Sequence, residues 1–411
     1  MLFRSAPGID ITILDAETPG FGASGRNGGW CVGEFAGQDA MLANPEKRST
    51  ALQMVNAIHA TVDEVGAVCG DEQIDCHFHK GGCLIAAISP FHAQQLRDHI
   101  NTQRGYGIAE TDAIWIEAGE AAARVGVCSN HGALYTPHCA VIHPLRLVQG
   151  LVRSLQRLGV SIIANTAVTA LRPGEVETSR GNIACDAALR ATEAYTDSIS
   201  GSRRELIPIY SMMVATEPLS EATWRELGLH NRESIASAQR TVTYGQRTAD
   251  GRLAFGARGG YLYGSGVRRQ FAPDDPRLRV VAKIMRDLFP VLADCRVEYA
   301  WGGMLGVPRS WTPGVQFDRS RRLGWAGGYV GEGVAASNLA ARTLADLVLE
   351  RDTELTALPW VSAPQRRWEP EPMRWLGCQL GSFAERSAER YELAHGRSSR
   401  VAGRIANWLS S

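Results

Sequence analysis

The sequence predicts an α/β fold: a discontinuous domain built on a parallel sheet, with an α+β domain of antiparallel strands inserted into it. Three observations predict it. The run Ile11-Thr12-Ile13-Leu14 reads as a buried parallel strand that ends on Asp15, with Glu17 two residues on. A helix–strand unit at residues 144–163 and a strand–helix unit at 323–349 are how a chain returns to a parallel sheet. Between them, residues 206–297 alternate in short antiparallel runs with a single helix.

The first strand runs into a loop that holds Gly20, Gly22, Gly25, Gly28 and Gly29. In a nucleotide-binding α/β domain, an acid at the end of the second strand accepts hydrogen bonds from a ribose. A loop of small residues after it brings backbone N–H groups close to a flat or anionic ligand. The bland alternative is a solvated loop, but the density of Gly with Ser24, Arg26 and Asn27 favours a ligand.

Composition sets the bounds. A chain of 411 residues can build two domains and a large core. Lys plus Arg equals Asp plus Glu at 43 each, interspersed, so nothing suggests a nucleic-acid partner. The basic residues are almost all Arg, with Lys only at 47, 80 and 283, a bias that hints at a high-GC bacterial genome. Nine cysteines without a CxxC pair argue against a disulfide framework or a zinc ribbon. With no basic-then-apolar leader and no apolar run long enough to span a bilayer, the expectation is a cytoplasmic protein.

In chain order, residues 38–69 read as one helix with Leu52, Val55, Ile58, Val62 and Val65 on a face. Residues 74–87 read as a strand pair joined at Gly81-Gly82. Alternation there splits Cys76 from His77 and His79, which leaves no metal-ligand set. A helix over 90–105, a strand at 114–116 and a helix over 117–125 follow. Pro144 opens a helix with an apolar stripe through Leu151, Leu155 and Leu158, and Gly159 stops it. Strands are expected at 160–163 and 167–171, then a hairpin over 176–191 turning at Gly181-Asn182. The helix of the inserted region spans 276–289 and is closed by Pro290. A strand at 323–326 feeds a turn through Gly327, Gly328, Gly331 and Gly333 into a helix over 334–349. Such a helix aims its first N–H groups at whatever lies over the glycines.

The string GASGRNGG after a strand ending in an acid resembles the FAD-dependent amine and D-amino-acid oxidase family, in the branch of gamma-glutamylputrescine oxidase. The resemblance covers about the first 360 residues through ordered landmarks: GASGRNGG, ATEAY where the family has A-T-N-A-Y, the WGG segment and the glycine turn at 327–333. It implies a Rossmann-like FAD-binding domain at 1–45, 140–205 and 310–360. A substrate domain would occupy 46–139 and 206–309, and a helical tail 361–411. The family opens with a strand, a G-x-G-x-x-G turn and a helix that this chain does not show. Residues 1–8 look like the tail of that helix. The expectation is a start site upstream, with the fingerprint within about thirty residues. The alternative is a homologue that has lost tight FAD binding and catalysis.

Carried over by the resemblance, Asp15 takes the adenosine ribose, and a backbone group at Val168 meets the adenine. Ala23, Ser24, Arg26, Asn27, Gly28, Gly29, Ala191, Thr192 and Gly302 line the cofactor. Gly328, Gly331, Glu332, Gly333 and Val334 meet the flavin's pyrimidine edge, where a helix N-terminus favours the anionic reduced ring. Arg190 and Glu193 depart from the family's small or neutral residues, and buried charges are costly unless paired. Cys31 near the loop reads as a buried thiol rather than an attachment point.

The implied reaction is oxidation of a C–N bond by hydride transfer to flavin. It releases an imine and, with dioxygen, hydrogen peroxide; a flavin dehydrogenase with another acceptor is the rival reading. Tyr263 and Trp301 are the candidates to face the flavin, and Glu332 is a candidate to attract a cationic substrate, with stabilising charge at a helix N-terminus as its equal reading. Relatives that oxidise amino acids place an Arg just after the W-x-G strand to clamp a carboxylate, where this chain has Met304-Leu305. Arg258 and Arg309 are possible substitutes. An amine or amine derivative is therefore the expected substrate. The tail, with Trp368, Trp375, Leu376, Leu380 and Phe383, could pack on the body or on a second subunit.

Overall fold

A computed structural model describes residues 8–265, 271–272, 274–362 and 365–399. The helix tail expected before Gly8 lies outside them. Two bodies of structure emerge, and an eight-stranded mixed sheet dominates one of them. Its order is Val297–Pro308, Leu206–Thr216, Leu253–Tyr261, Thr243–Arg247, Ser234–Ser237, Cys83–Ala86, Ala133–Thr136, Ile114–Ile116. Every neighbouring pair is antiparallel except Ser234–Ser237 with Cys83–Ala86. Side chains alternate across it. Tyr210, Met212, Val214, Phe255 and Ala257 face the helix Pro276–Leu288, whose Leu278, Val281, Met285 and Leu288 close the core beneath. The opposite face looks toward the glycine-rich loop.

The other body carries the parallel pieces. Thr12–Leu14 pairs with Ser161–Ile163, and Ala188–Arg190 pairs with Leu323–Gly327, both parallel. Among the described residues these stand as separate sheets, and Thr12–Leu14 and Ala188–Arg190 are each paired on one edge only. The core here is helix on helix. Met54, Val55, Ile58 and Val62 of Arg48–Asp71 meet Ala336, Leu339, Ala340 and Leu344 of Gly333–Val348. Truncating a fully buried residue such as Ile58 to Ala costs about 2–5 kcal/mol. This packing sets the 48–71 helix against the Gly333–Val348 helix, not with the large sheet as its place in the chain suggested.

Local differences from the sequence expectations have physical causes. The run from residue 38 is two helices, Gln38–Ala43 and Arg48–Asp71, because Pro45 cannot sit inside one. Residues 74–82 are irregular, with only an isolated bridge from His79 to Val141, and Cys83–Ala86 is the one strand of the expected pair. The 176–191 hairpin turns at Ser179-Arg180, since Gly181 already pairs with Thr178. Residues 188–190 leave it for the other sheet. Helix starts were better marked. Ser89 and Asp275 cap helices that open with Pro90 and Pro276, by accepting from His92 N at 3.1 Å and Arg277 N at 2.9 Å.

Candidate active site

One strand, Val297–Pro308, gathers the segments that the sequence singled out. At its start, the Trp301 indole N–H donates to the Arg26 carbonyl at 2.9 Å, and Gly303 lies beside Arg26. Further along, Gly306 leaves room for Glu193: a Cβ there would run into the Glu193 carboxyl. Glu193 in turn accepts from Tyr329 N at 2.9 Å, and Val330 N donates to Gly306 O at 3.4 Å. The loop near Ser24, the turn after Thr192 and the glycine turn before Gly333 therefore meet on a shared edge of the large sheet. Gly22 against the Tyr195 ring closes the triangle.

The loop is fixed by its own residues. Asn27 Oδ1 accepts from Gly29 N at 2.8 Å, and its Nδ2 donates to the carbonyls of Ala23 and Ser24 at 3.2 and 3.0 Å. Gly29 has φ +74, and a side chain there would strike Gln246 and the Ile142 carbonyl. Gln246 Nε2 donates to Gly28 O at 2.7 Å, and the Tyr244 ring packs on Gly28. Tyr244 also bonds Ser211, and burial pushes its phenol up to about 12. The loop-facing side of the sheet thus carries Ser211, Tyr244, Gln246, Trp301 and Gly303. Sequence reasoning missed Ser211, Tyr244 and Gln246. The i, i+2 spacing of Tyr244 and Gln246 on a strand was the available signal.

Asp15 sits where the strand reading put it, half-buried at the strand end. Its carboxylate accepts from Glu17 N at 2.9 Å, and its carbonyl accepts from Thr166 N at 2.8 Å, two residues before Val168. Gly328 and Gly331 both adopt positive φ, +78 and +112, and lead into the helix. Thr192 bonds Thr196 at 2.9 Å, hydroxyl to hydroxyl. Two placements differ from expectation. The side-chain direction of Gly302 points at Phe271 and Met212 on the far face, so Gly303 is the glycine that faces the loop. Tyr263 is 61% exposed and meets Trp375 edge-on, ring centroids 6.1 Å apart.

The charges flagged in the sequence find different answers. Arg190, 8% exposed, pairs with Glu205 at 2.5 Å and stacks over Trp325. Glu193 keeps one oxygen without a partner, and burial raises its carboxyl to about 7. Arg309 is committed to Glu369 at 3.1 Å. Arg258 stacks over Trp311 on the large sheet. Burial pushes the Cys31 thiol up to about 12, which leaves it unreactive at neutral pH.

Beside the glycine turn opens a cavity of about 430 Å³ between the two bodies. Glu34, Gln38, Asp39, His59, Asp112 and Glu332 are among its walls. Burial, then the neighbouring Glu34, raises Glu332 to about 8, while the Arg258 charge pulls the other way. Burial, then Asp39, raises Glu34 to about 7. His59, Asp112 and His138 bring ligand atoms within 4.8 Å of one another. The two rings stack, however, 3.6 Å apart and nearly parallel, so their lone pairs do not converge on one metal position.

The residues present fit FAD at two places. The carboxylate of Asp15 suits ribose hydroxyls. The first-turn amides of Gly333–Val348, a helix without a side-chain cap, suit ring carbonyls. A sheet inserted as a roof over a cleft, lined by separated pieces of a nucleotide-binding domain, defines a dinucleotide-dependent oxidoreductase. The chain belongs to the FAD dependent oxidoreductase (DAO) family, which it matches over residues 2–347, and it is an enzyme of that FAD-dependent class. It is 28% identical over 398 residues to gamma-glutamylputrescine oxidoreductase of Escherichia coli (strain K12), which covers 94% of this chain and 89% of that protein. It is 29% identical over 372 residues to probable oxidoreductase OrdL of Rhizobium meliloti (strain 1021), with 87% and 81% covered. Among solved structures, glycine oxidase from Geobacillus kaustophilus matches with TM-score 0.71 at 18% identity, over 88% of this chain and 94% of that one. L-proline dehydrogenase from P. horikoshii matches with TM-score 0.69 at 17% identity, over 87% and 90%. At such identities these structures speak for the fold alone. No described helix is long and apolar enough to cross a membrane.

Proposed function

We propose that this chain oxidises the C–N bond of a small amine or amine derivative, with FAD held across the convergence on Val297–Pro308. The observation that carries the reading is that convergence: Arg26 and Val330, far apart in sequence, each hydrogen-bond one strand, and Glu193, which accepts from Tyr329 N, lies against it. When bound, FAD supplies the two-electron acceptance, so that the amine carbon gives up a hydride and water hydrolyses the imine. The chain's own residues position and shield. Trp301 and Gln246 hold the loop, Asp15 and the 166–168 stretch suit the adenosine, and the amides at Gly333 and Val334 suit the pyrimidine edge. Ala23, Ser24, Gly28, Ala191, Thr192, Gly328 and Gly331 supply close backbone approach.

The substrate is an amine rather than an amino acid in this reading. Arg309 is held by Glu369, and Met304 is buried on the far face, so among the described residues the position after the W-x-G strand offers no guanidinium to a carboxylate, and Arg258, paired across the sheet with Ser211 and stacked over Trp311, is the remaining candidate. The name of the Escherichia coli relative, an oxidoreductase of a substituted diamine, points the same way. The test is anaerobic mixing of the purified flavin-loaded protein with a panel of amines. Bleaching of the flavin absorption by at least one amine, and hydrogen peroxide once air is admitted, is the expected result. Bleaching with dye reduction but no peroxide would move the reading to an amine dehydrogenase. A protein that takes up no flavin overturns it.

A further inference from the structure

Glu193 is a buried acid on a strained backbone. Its φ is +42, a conformation that suits Gly or Asn, and the family pattern A-T-N-A-Y has Asn there. A longer side chain stays in it only where its surroundings hold it. One carboxyl oxygen accepts from Tyr329 N at 2.9 Å. The other lies where a Cβ on Gly306 would stand, and it has no partner among the described residues. The carboxyl therefore touches the turn after Thr192, the strand Val297–Pro308 and the glycine turn that opens Gly333–Val348. The direct tie between those last two, Val330 N to Gly306 O, is long at 3.4 Å. The short bond from Tyr329 N to Glu193 is the better-made fastening of the glycine turn.

We propose that Glu193 is a positioning residue for the flavin: with its proton on, it clamps the glycine turn against Val297–Pro308, and loss of that proton lets the turn lift and the dinucleotide leave. The inference rests on FAD lying at the convergence and adds a residue to that site. A neutral carboxyl can stay buried with one N–H donated to it. A carboxylate without a counter-ion is costly there, and the cheapest relief is water, which enters by parting the turn from the strand. The turn sets where the first amides of Gly333–Val348 point, so parting it moves the donors offered to the pyrimidine edge.

The charged groups on the surrounding elements are spoken for. Arg190 pairs with Glu205, Asp197 accepts from Arg204 N at 2.7 Å, and Arg309, past the strand end, pairs with Glu369. Burial and then Glu193 itself push the Tyr329 phenol up, so it stays neutral. Glu332, in the same turn, brings no positive charge. Burial therefore decides the Glu193 proton and raises the carboxyl to about 7, against the pull of the Tyr329 and Gly328 N–H groups. An opened turn returns it to an ordinary 4.5. With the closed value raised, the clamp is at full strength below 4.5 and weakens as pH rises through about 7. Between pH 6 and pH 8.5 the open form gains about tenfold on the closed one.

The test is the rate at which the purified holoenzyme releases FAD on dilution, followed by flavin fluorescence from pH 6 to pH 8.5. Glu193→Gln keeps an oxygen for Tyr329 N but cannot ionise, so at pH 6 its rate should match the parent's within about twofold. Glu34 and Glu332 titrate in the same window in both proteins, so the quantity to read is the ratio of the parent's rate to the variant's. That ratio should rise about tenfold by pH 8.5. Glu193→Asn suits the positive φ but is too short to reach Tyr329 N. It should release FAD about fivefold faster than the parent at pH 6, and the parent-to-variant ratio should climb with pH in the same way. A ratio that stays constant with pH for either variant, or a Glu193→Asn protein that holds FAD as well as the parent at pH 6, would overturn the clamp. Loading of FAD with a constant ratio sinks the clamp alone. A parent that takes up no FAD at any pH sinks the dinucleotide site and the clamp with it.

Discussion

Glu332→Gln should flatten the alkaline side of the stability profile. The folded chain holds the Glu332 proton up to about 8, against an ordinary 4.5, chiefly through burial. A group whose folded value is raised gives its full contribution below pH 4.5 and loses it as pH rises through about 8. A tenfold change in proton affinity is worth about 1.4 kcal/mol, so one carboxyl moved this far removes about 3–4 kcal/mol between pH 5 and pH 8. The cavity is open to solvent, and screening through its mouth reduces this to about 2 kcal/mol. Unfolding entropy is about 2.1 cal/mol/K per residue, so over a chain of this length that is roughly 2 °C. The assay is differential scanning fluorimetry from pH 5 to pH 8. The parent should lose about 2 °C more than Glu332→Gln across the window, with the gap widest at pH 8. Glu34 and Glu193, both raised to about 7, keep titrating in the variant, so its curve still slopes. Parallel curves for the two proteins would refute the assignment of a buried, protonated carboxyl at this position.

Other substitutions probe the remaining parts. Gly29→Ala forces a positive-φ position and drives a methyl into Gln246 and the Ile142 carbonyl, so the flavin-to-protein ratio should fall about tenfold; unchanged flavin content would count against the loop's role. Glu205→Gln leaves the buried Arg190 guanidinium without its counter-ion and should cost about 3 kcal/mol in denaturant unfolding. Tyr263→Phe should leave kcat/KM for amines within about twofold, because an exposed ring against Trp375 touches no reacting group; a loss of a hundredfold or more would put that hydroxyl in the reaction. Leu376 and Phe383 stand exposed on one stripe of the helix Met373–His395, and changing both to Glu should shift any homo-oligomer toward monomer by light scattering.

Much of this was readable where chemistry is local. The strand before Asp15, the proline-started helices at 90, 144 and 276, and the glycine turn into Gly333–Val348 follow from dihedral preference and periodicity, and each lies within two residues of its expected bounds. The convergence of the Ser24, Thr192 and Gly333 regions was legible only through the resemblance. What could not be read depends on pairing between distant stretches. No local signal says that Ser234–Ser237 lies parallel to Cys83–Ala86, more than a hundred residues away. Nor does any local signal give the register of Val297–Pro308 with Leu206–Thr216, which sets the parity of Gly302 against Gly303. The roles of Tyr244 and Gln246 on the loop-facing side stay hidden for the same reason. Glu34 and Gln38 gave no sequence cue, since an acid and an amide after a glycine loop look like ordinary surface. They matter because a helix and a sheet from elsewhere close over them.

The strand Val297–Pro308 belongs by its ladder to the large sheet, yet its Trp301 and Gly306 positions hold pieces of the other body. The two halves of the molecule therefore share a seam rather than a hinge. Occupancy of the dinucleotide cleft should stiffen the substrate-side sheet as well, and heat should undo both in a single melting event instead of peeling one from the other.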